Sequence, residues 1–538
     1  MSISIEIKPL GGVAQIGSNM TLINYRNHEI EQNILIDCGI LFPYEDVFDL
    51  NYLIADFTML EDIIPDAIIF THGHEDHIGA VSHLIEAYPK IEMYATKFTI
   101  GLIDEKLSRL NLRKKIRPLE FNRSLNFDKL EITPVHVNHS IPDTAGLIIH
   151  SKELDFSAFY CSDFKVDLED FYEPAFNLKA LEKKFSSSSR RLALLDSTNI
   201  TAQQTKTLSE KELVPGLKKI VESSPSRCFI TSFASNIHRI QTVFNIAKDL
   251  GKKVVLYGNA MNKYTQIAQA TDHLDTYRLE RDVDQIRPSD ENLIILVSGC
   301  QGDFRSAVRR IAMNEDSRFR LKAGDRFIFS SKSIPGNEKK IGMLANSIVE
   351  LGADVFFSGD HKIHASGHAG KEDLKLVYDH LKPTHAFPIH GESLFLKEHR
   401  RFIQENYPEA ETSTFYNGDS ILVTTSSIEL TPNDPKEPIL IHGKGLPLER
   451  SKISERRKIA QNGTFILSVL IEKKKVQFQS QTVGLPDEHT PENKTILSTI
   501  QSCLDVKDPA EEIRIRLRRI FSENLGYKPI TYVFIHRK

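Results

Sequence analysis

The sequence predicts an α/β protein in which one α/β unit is interrupted by a second and followed by a small α/β tail. Three observations carry this. Short apolar runs recur that end in a single polar residue: Asn33 to Asp37, Ala67 to Thr71, Ala158 to Asp163 and Leu192 to Asp196. Buried strands with polar groups at their C-terminal ends are how open α/β layers build ligand sites. From about residue 206 to 360 the texture changes, and helical stretches at 209–222 and 238–250 alternate with strand-like runs at 253–257 and 293–297. Then Thr384 to His390 repeats the apolar-run-then-histidine design, so the chain is expected to return to its first unit.

Taken in order, Asn33 to Asp37 reads as a strand ending in a carboxylate. Ala67 to Thr71 reads as a strand ending at a histidine cluster. The helix behind that cluster carries Ile78, Val81, Leu84 and Ile85 on one stripe, which would pack the loop down rigidly. Gly251 just past a helix and Gly258 just past a strand act as breakers. Residues 431–447 hold four prolines and two glycines with little periodicity and read as a linker. In the tail the best helix starts at Asp508 as N-cap, has Pro509 at its first position and Glu511 and Glu512 in its first turn, and stops at Gly526. The expected boundaries are 1–207 for the first part of the interrupted unit, 208–360 for the inserted unit and 361–430 for the return segment. A linker at 431–460 and a C-terminal domain at 461–538 follow.

Composition narrows the class. Of 538 residues, 40% are hydrophobic and 26% charged, an ordinary globular balance that excludes collagen and mucin. Apolar runs such as Leu293 to Val297 are far short of the ~18 residues that span a bilayer. Residues 1–8 show no apolar leader segment, so no secretory signal is expected. A net charge of -4 argues against a globally basic nucleic-acid coat but leaves room for a local basic channel. From residue 451 onward there are sixteen Lys and Arg against ten Asp and Glu, a formal +6. Five scattered cysteines, Cys38, Cys161, Cys228, Cys300 and Cys503, fit neither a disulfide framework nor a cysteine zinc finger. A reducing cytoplasm is the simplest setting.

The sharpest signal is Thr71-His72-Gly-His74-Glu-Asp76-His77-Ile-Gly79. Three histidines and an aspartate fall within six residues, directly after an apolar strand. Imidazole and carboxylate are the ligands that zinc or manganese prefer. Four ligands on one turn cannot converge on one ion without strain, but they can serve two ions side by side. Two such ions would stabilise both the entering and the leaving oxygen of a phosphoryl displacement.

This His-x-His-x-Asp-His pattern resembles the metallo-β-lactamase superfamily. The resemblance implies an αββα sandwich and a fuller ligand set: His72, His74 and His139 on one ion, Asp76, His77 and His390 on the other, and Asp163 as the bridge. Asp37 matches the first-strand aspartate that orients a ligating histidine. Asp196, His368 and His390 match motifs A, B and C of the β-CASP nucleases, which carry a second α/β domain inserted in the first. A histidine at the third motif is the form usual in RNA-processing members. The resemblance narrows to bacterial ribonuclease J through Leu10 to Asn19, His139 to Asp143, Ser232 to Arg239, Ile334 to Glu338 and Pro388 to Glu392. The tail is similar to that family's C-terminal domain.

The family resemblance implies a two-metal ribonuclease acting 5′ to 3′ from 5′-monophosphate ends, with some internal cleavage. It implies two divalent ions per chain, zinc ahead of manganese. Asp76, His368 and Asp196 would be catalytic, with His368 near the leaving oxygen and Asp196 orienting it. Phe233, Ala234 and Ser235, together with His364, Ala365, Ser366, Gly367 and His368, would hold the RNA phosphate. Such loops offer side-chain and backbone donors to an anion. RNA, a homodimer or homotetramer and other RNA-decay proteins are the implied partners, with no membrane. Asn259, Ala14 and the pair Asp303-Phe304 depart from the family pattern. A DNA-directed β-CASP nuclease and a non-catalytic RNA-binding subunit are the competing readings. His390 and the survival of all seven ligands count against them.

Overall fold

The computed structural model describes residues 3–43, 50–60, 63–287, 289–334, 336–359, 361–434, 436–473, 475–486, 488 and 490–538. Pro335 in the Ile334 to Glu338 stretch, Asp360 at the expected end of the inserted unit, Pro435 in the expected linker and the first two residues lie outside these. The chain divides into two compact units, Met1–Phe42 with Ile54–Pro438, and Pro43–Leu53 with Ile439–Lys538.

In the first unit an eight-stranded sheet runs in the order Ile428–Thr431, Ser420–Val423, Ser4–Gly11, Met20–Arg26, Glu31–Ile36, Ala67–Ile69, Glu92–Ala95, Ile116–Pro118. A six-stranded sheet runs Leu125–Phe127, Leu130–His136, Ala145–Ser151, Phe156–Cys161, Arg190–Asp196, His385–Ile389. Residues two apart on a strand share a face. Ile5, Ile7, Ile23, Tyr25, Ile34 and Ile36 of the first sheet therefore meet Leu130, Ile132, Leu147, Ile149, Leu192 and Leu194 of the second in one core. Leu22, Leu35, Ile68 and Met93 on the alternate face of the first sheet are buried too. On the far face of the second sheet, Val135, Ile148, Phe159 and Leu195 share a core with helices Leu178–Phe185, Lys371–Leu381 and Ser393–Asn406. Two facing sheets with helices outside them are the sandwich that the family resemblance implied.

Strands Arg190–Asp196 and His385–Ile389 are parallel neighbours, with Asp196 opposite Ile389. The chain between them builds a separate parallel sheet in the order Lys253–Tyr257, Leu293–Val297, Cys228–Thr231, Arg326–Phe329, Asp354–Phe356. Leu293–Val297 is buried at every position, as a parallel strand covered on both faces must be. The connection after Cys228–Thr231 runs to one side of the sheet and that after its neighbour Leu293–Val297 runs to the other. Ligands in open α/β sheets bind beyond the C-terminal ends of the strands at such a switch point, and Ser232 to Ser235 follow there directly.

One buried ion pair ties the insertion to the chain's return. Arg239, fully buried on helix Ile237–Asp249, donates to both carboxylate oxygens of Glu210 at 2.9 and 3.0 Å. It also donates to the Ser330 and Ile363 carbonyls at 2.6 and 3.1 Å. Burial pushes the Glu210 carboxyl up, but Arg239, aided by Lys165 and His238, outweighs burial and holds it at about 2. Arg239→Ala would strand a buried carboxylate, and breaking such a pair costs about 3–5 kcal/mol. The expected result in urea unfolding is a loss of that size. A carboxyl with a depressed folded pKa contributes stability above its ordinary value of 4.5, and that contribution drains as pH falls towards about 2. The deficit of the variant should therefore shrink over that acid range. A variant as stable as its parent at pH 7 would remove the pair from this account.

In the second unit the sheet order is Lys475–Val483, Thr464–Glu472, Ile530–Arg537. Phe465, Leu467 and Val469 pack on Ile496 and Ile500 of helix Asn493–Ser502 and on Ile513, Leu517 and Phe521 of helix Pro509–Leu525. The latter helix has the N-cap read from sequence: Asp508 accepts from Glu511 N at 3.2 Å, and Gly526 closes it in the left-handed conformation at φ 77°. The expected linker carries regular structure. Ile439–His442 and Leu446–Leu448 form a hairpin, and helix Arg450–Asn462 follows. Gly443 and Gly445, with φ 56° and 91°, make the hairpin's turn, the use of glycine that a composition count cannot separate from looseness. Among the described residues no helix is long and apolar enough to cross a membrane.

Candidate metal centre

The histidine cluster follows strand Ala67–Ile69, and His74 caps the short helix Glu75–Ile78. Asp37 follows strand Glu31–Ile36, Asp163 follows Phe156–Cys161, and His390 follows His385–Ile389. Asp196 ends Arg190–Asp196. The polar residues at the ends of these strands thus meet at one edge of the sandwich.

Two groups of donor atoms converge there, sharing one carboxylate. His72, His74, His139 and Asp163 form the first, and Asp76, His77, Asp163 and His390 the second, with the atoms of each group within 4.8 Å of one another. His74 Nδ1 lies 3.1 Å from both His72 Nε2 and His139 Nε2. Asp163 Oδ2 lies 3.6 Å from His139 Nε2 and 3.5 Å from His390 Nε2, and Asp163 Oδ1 lies 3.0 Å from His77 Nε2. His390 Nε2 is buried with no hydrogen-bond partner. All seven residues of the expected set are here. Asp196, His368 and His390 make a third, overlapping group.

Each imidazole has its second nitrogen engaged, and that bond selects which nitrogen faces the cluster. His77 Nδ1 donates to Asp37 Oδ2 at 2.7 Å. His139 Nδ1 donates to the Gly367 carbonyl at 2.6 Å, and His390 Nδ1 to Asn19 Oδ1 at 2.9 Å. His72 Nδ1 meets Thr71 Oγ1 at 3.1 Å, whose hydroxyl donates to Asp37 Oδ2 at 2.8 Å. His74 is turned the other way, with Nε2 3.2 Å from Ser235 Oγ of the inserted unit. Burial holds His72 and His139 well below the usual imidazole range and His74 at about 4. These three are neutral near pH 7 and offer lone pairs. Burial would also lower His77, but Asp163, Asp76 and Asp37 outweigh it and push it well up. Burial pushes Asp163 up, and the His390 and His77 rings outweigh that to hold it low. A buried knot of facing nitrogens and carboxylates is what divalent cations relieve, so the donor set fits zinc or manganese.

Beside it, His368 Nδ1 donates to Asp196 Oδ2 at 2.8 Å and lies 3.9 Å from Asp163 Oδ2. Burial lowers His368, but Asp196, then Asp163 and Asp76, raise it to about 9. Asn199 Nδ2 ties the loop by donating to Ser366 Oγ and the His368 carbonyl at 2.8 and 2.9 Å. Of the residues expected to hold phosphate, Ser235 and Ser366 to His368 border the cluster. His364 lies beside the Arg239–Glu210 pair, where burial keeps it at about 3 and hence neutral.

Nothing in the sequence marks Asn19 as a positioning residue. Besides receiving His390, it sends its amide nitrogen to the Asp76 carbonyl at 3.1 Å. Its place in a glycine-rich opening is the one available signal. Gly39 is a second such residue: a Cβ there would lie 1.5 Å from the Asp76 carbonyl oxygen. Gly39→Ala should therefore displace Asp76 and lower the metal content of purified protein, read by elemental analysis. Parent-level metal would show that the Asp76 backbone can shift without consequence.

Three family models match the chain in succession: the beta-lactamase superfamily domain at 32–177, the beta-CASP domain of ribonuclease J at 225–348, and the Zn-dependent metallo-hydrolase RNA specificity domain at 360–413. A ribonuclease J of Sinorhizobium meliloti is 30% identical, with 98% of this chain and 96% of that protein covered. Ribonuclease J 1 of Streptococcus pyogenes is 30% identical over 86% of this chain and 84% of its own. A solved structure of a protein of unknown function from Enterococcus faecalis shares the fold, with a TM-score of 0.56 at 16% identity over 78% of this chain and 100% of that one. Fold and site together define a metal-dependent hydrolase of the β-lactamase superfamily. The chain belongs to the ribonuclease J family and is a metal-dependent ribonuclease.

Proposed function

We propose that the chain is a two-metal ribonuclease that degrades RNA 5′ to 3′ from 5′-monophosphate ends and also cuts internally. The observation that carries this is the pair of donor groups sharing Asp163. His72, His74 and His139 would hold one ion and Asp76, His77 and His390 the other, with Asp163 offered to both. Zinc is the first candidate, supported by the Zn-dependent family model, and manganese the second. When bound, the ions polarise the scissile phosphate and stabilise the entering and leaving oxygens.

The chain's own groups do the rest. Asp37, Asn19, Thr71 and the Gly367 carbonyl keep the liganding rings in register. Asp196 accepts from His368 Nδ1 and, by raising the ring to about 9, favours the doubly protonated imidazolium, whose Nε2–H can donate to the leaving oxygen. The backbone N–H groups and hydroxyls of Phe233 to Ser235 and of His364 to His368 receive the terminal phosphate. His364, neutral, shapes that pocket rather than charging it. The chain works as a homodimer or homotetramer in the cytoplasm, alongside other RNA-decay proteins. Sedimentation of the full chain at two concentrations reads the assembly.

A pocket fitted to one phosphate leaves donors unpaired with a 5′-hydroxyl, at about 1–3 kcal/mol per group, and is crowded by a triphosphate. One RNA carrying each of the three 5′ ends should therefore be digested fastest as the monophosphate, with Zn²⁺ or Mn²⁺ added. Equal rates on all three would refute the end preference while leaving the ribonuclease intact.

A further inference from the structure

The second unit contains an open groove of about 720 Å³ between helices Arg450–Asn462 and Pro509–Leu525 and strand Ile530–Arg537. Four cations line it, Lys458, Arg514, Arg518 and Lys528, and so do the rings of Tyr527 and Tyr532. No carboxylate lines it among the described residues. Arg514 and Arg518 stand four apart on one helix face, where like charges repel. They lie two to three turns before the helix ends at Leu525, beyond the last turn in which a helix dipole favours cations. Arg514 is offset by Glu511, whose carboxylate it reaches at 2.7 Å. The Nε of Arg518 is buried and has no hydrogen-bond partner. A cluster of cations that leaves one guanidinium Nε buried without a hydrogen bond conflicts with stability, and such conflicts mark binding sites.

We propose that this groove is a second RNA site, in which Arg518, Lys528 and Lys458 receive the phosphates of a single strand and Tyr527 and Tyr532 stack its bases. It rests on the ribonuclease reading only for the choice of RNA as occupant. A cationic groove with aromatic rings is the general form of single-strand binding. The open groove suits a continuous strand better than a lone nucleotide, and an acidic peptide would leave the rings without a role. The formal +6 of residues 451–538 matches a polyanion.

The test uses the full chain and a 20-nucleotide RNA carrying 4-thiouridine, with chelator present during binding. Photocrosslinks are expected on Tyr527 or Tyr532. Arg518→Ala combined with Lys528→Ala should lower the salt dependence of binding, because each phosphate contact on a single strand contributes about 0.7 to the slope of log affinity against log salt. The slope should fall by about 1.4. With metal restored, KM should rise while kcat holds, since neither residue belongs to the metal cluster. Lys458→Ala, a substitution on an exposed position of a different helix, should shift the slope in the same direction and guards against misfolding of one variant. Unchanged slopes with no crosslink in the groove would overturn the proposal. So would saturation by uridine monophosphate alone, which would make it a nucleotide pocket, or equal competition by polyglutamate, which would make it a site for acidic protein. The kcat of the unaltered protein reads the ribonuclease itself, so the two ideas fail separately.

Discussion

Asp163→Asn should reduce RNA hydrolysis to background while the chain stays folded. The residue is 3% exposed and is the one member common to both donor groups. His72, His139 and His390 lie 4.0, 3.6 and 3.5 Å from its Oδ2, and His77 3.0 Å from its Oδ1. Asparagine keeps the shape and removes the negative charge, so both donor groups lose their common anion at once. Elemental analysis should show fewer than the expected two ions per chain, and circular dichroism should match the parent. Loss of His74 or His390 would weaken one position only. A variant that keeps two ions and a tenth of the parent rate would remove the bridging role.

The second large effect is expected at His368. His368→Ala should slow turnover by about 10²–10⁴-fold, the usual worth of a positioned acid, or about 2.7–5.5 kcal/mol on the barrier. Metal content should be unchanged. His368 also groups with Asp196 and His390, so elemental analysis separates two roles. Loss of an ion would make it a ligand, and loss of rate alone a proton donor. Asp196→Asn should act in the same direction and less strongly, since it loosens the ring held at 2.8 Å without removing it. Near-normal turnover in His368→Ala would take the residue out of the mechanism.

The sequence resolved these elements unequally. His72 to His77 were legible because strand, loop and helix are consecutive, and a ligand spacing within six residues survives any tertiary arrangement. The insertion was legible because an apolar run ending in histidine recurs at Thr384 to His390, and that strand does pair beside Arg190–Asp196. The linker at 431–460 was misjudged. Its prolines and glycines suggested irregular chain, whereas Gly443 and Gly445 are the turn of a hairpin.

By itself the sequence determined the α/β class, the return of the chain to its first sheet, the local cluster His72 to His77 and the capped helix at Asp508, whereas His139, Asp163 and His390 came from the family resemblance. The former follow from residue type and near-neighbour spacing, which chain connectivity preserves. Only the tertiary structure decided that Asn19 holds His390 and that Ser235 of the inserted unit meets His74. It alone decided that Gly39 leaves no room beside Asp76 and that four cations enclose one groove in the tail. Hydrogen-bond direction and close backbone approach depend on how distant strands register against one another, and that register is set by packing across the whole sandwich rather than by any local run of residues.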